Sequence, residues 1–89
     1  MNQIPVLDHG HRMFLQEGCI LSATEEISRV MEEKQVTKAD LARLLDCSKA
    51  HVTQLLNGGR NMTLRTLSDI CMVLDVEPVI ALKPSKPNR

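Results

Sequence analysis

Two short helical runs, Leu41–Leu45 and Val52–Leu56, stand on either side of the polar step Asp46-Cys47-Ser48-Lys49. At 100° per residue, Val52, Leu55 and Leu56 share one face of the second run, and Ala50, Thr53, Gln54 and Asn57 share the opposite face. In the first run Leu41 and Leu45 form an i, i+4 pair with Ala42 beside them, and so small a residue lets two helices cross closely. Cys47 is apolar enough to plug the corner. The pattern predicts two braced helices in which the first holds the second and the polar face looks outward. A unit this small cannot bury itself, so flanking helices must cover it.

The rest of the chain supplies those flanks. From His11 the pattern is helical, with Met13, Ile20 and Ile27 seven apart and Val30 and Met31 extending the stripe. The spacing allows one helix to about Lys34 or two broken near Gly18, the second capped by Ser22 or Thr24. Thr37 is a good N-cap for the next helix. Asp40 stands where a capping box wants Glu or Gln, which leaves that motif incomplete. Asn57-Gly58-Gly59 stops the Val52 helix, and Thr63 caps a further one with Leu64, Leu67, Ile70, Cys71 and Leu74 at helical spacing. "VEPVIALKP" is partly β-branched, bounded by prolines, and reads as a strand. "QIPVL" near the start is a second, shorter candidate.

An 89-residue chain with 43% hydrophobic content fits one globular domain. Its core must be aliphatic, because Phe14 is the only aromatic residue. No apolar run approaches the roughly 20 residues of a membrane span, and the first ten residues lack a signal-peptide pattern, so a cytoplasmic protein with no membrane partner is expected. Cys19, Cys47 and Cys71 lie far apart without a CxxC pair and are expected to be reduced apolar fillers. Net charge is zero, yet no acid occurs from Cys47 to Ser68, where Lys49, Arg60 and Arg65 are basic and His51 can become so. Such a segment is able to present a local anion-binding face, although three bases there could also be chance.

The outward face of the second run has a chemical character. Gln54 is able to make bidentate bonds to adenine, Lys49 to donate to guanine and Ala50 to meet a thymine methyl. Ser48 sits at the helix N-terminus, where its hydroxyl and the free N–H groups suit a phosphate.

With Lys38 at its start, Leu41-Ala42, Leu45, Cys47, Ser48, Val52, Leu55 and the closing Asn57-Gly58, the stretch "TKADLARLLDCSKAHVTQLLNGGRN" resembles the helix-turn-helix of the Xre/Cro, or lambda-repressor-like, DNA-binding proteins. "RNMTLRTLSDICMVLDVEP" looks like that family's next helix and exit, so the resemblance covers roughly residues 23–76. One departure is Asp46, at a turn position often filled by glycine.

The resemblance implies an all-α fold: a four- to five-helix lambda-repressor-like domain at 23–76. An N-terminal extension at 1–22, a short C-terminal dimerisation strand at 77–84 and a flexible tail at 85–89 complete the expected organisation. Base contacts are implied for Lys49, Ala50 and Gln54, with Thr53 beside them. Backbone contacts are implied for Lys38, Ser48, Asn57 and Arg60. Each residue also has a plainer reading. Lys38 could be a solvated first-turn residue, Gln54 a spectator, Asn57 a helix C-terminal residue, and Arg60 part of a turn. The implied partner is double-stranded DNA.

A lone strand needs a mate, so a homodimer through Val76, Val79, Ile80, Ala81 and Leu82 is expected, with the strand pairing to its two-fold copy or to Gln3–Leu7. The implied function is a repressor of a palindromic operator. A finer form is an autoregulating antitoxin with a toxin protein as partner, residues 1–22 then contacting the toxin or supporting the dimer. A helical adaptor without DNA binding is the alternative, favoured by zero net charge. No nucleophile motif, phosphate loop or carboxylate pair occurs, so neither an enzyme nor a cofactor is expected. His9 and His11 lack a third ligand in sequence, so no metal site is expected either.

Overall fold

The computed structural model describes residues 8–58 and 62–84 of the chain. Four helices follow in order: α1 His9–Lys34, α2 Lys38–Leu45, α3 Lys49–Leu56 and α4 Leu64–Val73. The first runs unbroken past Gly18, which settles the choice between one helix and two.

Side-chain oxygens start every helix. Asp8, Thr37, Ser48 and Thr63 each accept from the backbone N–H three residues on. Around Thr37 the capping box is complete. Asp40 N–H donates to the Thr37 hydroxyl, and Thr37 N–H donates back to the Asp40 carboxylate, both at 3.0 Å. This corrects the incomplete box expected from the sequence: the shorter aspartate still reaches its partner. The Thr37 N–H holds the Asp40 carboxyl below its usual range. The folded state therefore favours the charged form. The resulting stability is present above the unfolded pKa of about 3.9 and is lost as pH falls through the lower folded value. We expect Asp40→Asn to destabilise the protein at pH 7 and the difference from wild type to shrink as pH falls below the unfolded pKa, as read by urea denaturation over a series of pH values.

Three of the helices end alike, although none has a glycine at the turn. Gln35, Asp46 and Asp75 are left-handed, at φ 58°, 57° and 59°. The next residue then donates back to the helix over 2.9 Å: Val36 to Met31, Cys47 to Ala42, Val76 to Cys71. This is Schellman geometry, in which the residue after the turn folds onto the helix it has just left. Val36, Cys47 and Val76 accordingly pack against the core. At the end of α3 a glycine takes the left-handed position, Gly58 at φ 73°.

The core joins Ile27 and Met31 of α1, Leu41 and Ala42 of α2, Val52 and Leu55 of α3, and Ile70 and Leu74 of α4. α2 packs on α3 and α4, and α1 packs on α3. Thr24 is the buried polar side chain, and its hydroxyl donates to the Leu21 carbonyl at 3.0 Å. Burial pushes the Cys71 thiol up, so it serves as an inert packing atom. Cys47 is half-buried, whereas Cys19 is exposed, contrary to its expected role as a filler.

The C-terminal strand expected at 77–84 is not formed. Residues 76–84 are neither helix nor strand, and no strand occurs among the described residues. The reason is hydrogen bonding, since a strand exists only with a mate to take its N–H and C=O groups. The candidate mate Gln3–Leu7 lies outside the described residues.

Candidate nucleic-acid interface

α3 is held by one face. Val52 and Leu55 are buried against the core and Leu56 is half-buried, which seats the helix with a fixed rotation. That rotation turns Ala50, Gln54 and Asn57 outward as exposed residues, with Thr53 half-buried at the edge. Lys49 is exposed in the first turn, and His51 is half-buried on the flank.

Ser48 is the N-cap of α3. Its hydroxyl accepts from His51 N–H at 3.0 Å, which leaves the hydroxyl hydrogen as a donor for an anion. Asn57 is the C-cap and is also exposed, so its structural role at the helix end coexists with an accessible amide. Arg60 lies outside the described residues.

The electrostatics share one feature. Lys38 opens α2, Lys49 opens α3 and Arg65 stands in the first turn of α4, all three exposed. A cation there opposes the helix dipole, at a typical cost of about 0.3–1 kcal/mol at each end. The first turns of α3 and α4 contain no acid to offset it. For isolated folding the arrangement is unfavourable. It becomes favourable when an anion binds, because the free N–H groups of the helix end and the base then act on it together. The family resemblance assigns no contact to Arg65. Its signal in the sequence was the acid-free run from Cys47 to Ser68.

Of the residues expected at a dimer interface, Val76 is half-buried against the core. Val79, Ile80, Ala81 and Leu82 are exposed, Leu82 at 94%. No helix among the described residues is long and apolar enough to cross a membrane. A comparison with protein families finds that the Cro/C1-type helix-turn-helix DNA-binding domain matches residues 26–79. Searches of curated proteins and of solved structures found no match.

Proposed function

The chain belongs to the Cro/C1-type helix-turn-helix family of DNA-binding domains, and we propose that it is a sequence-specific transcriptional repressor that lays α3 in the major groove. The observation that carries this reading is the outward face of α3: hydrogen-bonding, free of acids, charged only by the basic Lys49, and fixed in rotation by the burial of Val52 and Leu55. Lys49, Ala50 and Gln54 read bases, with Thr53 beside them. Lys38, Ser48, Asn57 and Arg60 hold phosphates. Phosphate contacts set the register of the helix, and base contacts discriminate between sequences.

A repressor of this kind works as a homodimer, since two α3 helices about 34 Å apart meet successive major grooves of a palindrome. The exposed apolar residues Val79, Ile80 and Leu82 are proposed to form a strand on pairing with the same segment of a second copy. The organisation into an extension at 1–22, a DNA-binding unit at 23–76 and a pairing segment at 77–84 goes with this reading. Full-length protein carrying Ile80→Glu and Leu82→Glu should lose affinity for a palindromic site while keeping its fold. A variant with unaltered mass in light scattering would sink the pairing segment. The finest form of the proposal is an antitoxin that represses its own operon. Co-expression with the product of the adjacent gene tests it, and growth no better than with the empty vector would reject it.

Salt separates this reading from a helical adaptor, which zero net charge would suit. Phosphate contacts give a steep fall of affinity with salt, and an adaptor gives none. Within that titration, Lys38→Ala should weaken binding to every DNA sequence alike and reduce the slope of log K against log salt by about one unit. An unchanged slope would remove Lys38 from the phosphate contacts.

A further inference from the structure

The first three turns of α1, His9 to Cys19, project from the domain with every residue exposed. Along one flank of this arm run Phe14, Gly18, Leu21 and Glu25, spaced 4, 3 and 4 residues apart. Phe14 is 76% exposed and Leu21 56%, and both line a shallow recess with Gly18 and Leu56. Among the described residues nothing covers Phe14, the sole aromatic residue.

Gly18 is unexplained by its own chain. It lies inside a continuous helix, where glycine costs about 1 kcal/mol relative to alanine. A Cβ built there meets nothing within 4 Å, so no neighbour among the described residues requires its absence. A backbone approaching from outside would require it.

The charges on the same flank are self-complementary. Near the start of the arm this flank carries His11, an imidazole that can take up a proton, while His9 and Arg12 fall on the opposite side and Asp8 caps the helix. Two turns beyond Gly18 stands Glu25, exposed, while its neighbour Glu26 is bound to Arg29 at 2.8 Å. If an identical helix lies antiparallel on this flank with Phe14 opposite Leu21 of the copy, then Gly18 falls near Gly18 and His11 near Glu25. A two-fold contact needs such a self-matching patch.

We propose that the α1 arm docks against the α1 arm of a second copy of this chain, antiparallel, through Phe14, Gly18 and Leu21. The contact goes beyond the DNA-binding reading and does not depend on it. It is also separate from the pairing segment, because residues 76–80 line a groove on another side of α1, with Ser22, Glu26, Arg29 and Val30. The register has one cost: Glu17 comes near Glu17 of the copy, and like charges repel.

Sedimentation of the full chain tests the contact, with circular dichroism as a check on folding. The substituted residues are exposed, so folding should survive. Phe14→Glu and Leu21→Glu should each weaken one self-association step by about tenfold or more. Glu17→Gln should strengthen it. Glu25→Lys should weaken it, and His11→Glu added to Glu25→Lys should restore it, in wild-type or Ile80→Glu, Leu82→Glu background alike. Association unaffected by Phe14→Glu, or a swap that weakens it further, overturns the proposal. So does an arm that binds only a different protein.

Discussion

Ala42→Leu will destabilise the domain by about 1–3 kcal/mol or more and will lower its thermal midpoint, because the extra methyl groups have nowhere to go. Ala42 is 5% exposed on α2, the helix that packs on both α3 and α4. Leu41 beside it is fully buried, so the backbone of α2 is pinned at this point. A leucine at 42 must either leave its rotamer well or push α2 outward. The second response would also strain the turn after α2, where the Ala42 carbonyl accepts the Cys47 N–H that closes the helix end. Thermal unfolding followed by circular dichroism reads the effect. A midpoint equal to wild type would show that the α2 packing has room for the side chain and that the tight bihelical unit is misjudged.

The second large effect belongs to DNA. Gln54→Ala is expected to weaken binding to the cognate operator by about 1–3 kcal/mol and to relax preference at one base pair. The proposed cause is loss of a bidentate pair to a base edge from the exposed face of α3. Non-specific affinity should barely move, because it comes from phosphates that Gln54 does not hold. Binding to the operator, to single-base variants of it and to unrelated DNA separates the outcomes. A loss equal on all sequences would reassign Gln54 to the backbone, and no loss would make it a spectator.

Most of the helical framework was legible in the chain because its signals are local. Thr37, Ser48 and Thr63 announce three helix starts by their own hydroxyls, and each caps as expected. The 100° rule placed Val52 and Leu55 inside and Gln54 and Asn57 outside. Asp46 was readable as a residue that tolerates the left-handed turn, and it takes that turn at φ 57°. The end of α1 was less legible, since Gln35 is no usual left-handed residue. The packing of Val36 against the core accompanies that turn, and this is a tertiary contact.

By itself, then, the sequence determined where the helices begin, which face of α3 is buried and which family the pattern resembles, because caps, periodicity and turn residues act over four or five neighbours. Only the tertiary structure decided that α1 continues past Gly18, since a lone glycine weakens a helix without ending it. It decided that residues 76–84 stay unpaired in a single chain, because a strand is a property of two segments and periodicity describes one. It also left Phe14 and Leu21 uncovered on a projecting arm. Met13, Ile20 and Ile27 share one stripe in sequence, yet exposure falls along it from Met13 to the buried Ile27. A stripe shows which way a helix would face a core, and only the placement of α3 against α1 shows where that core stops.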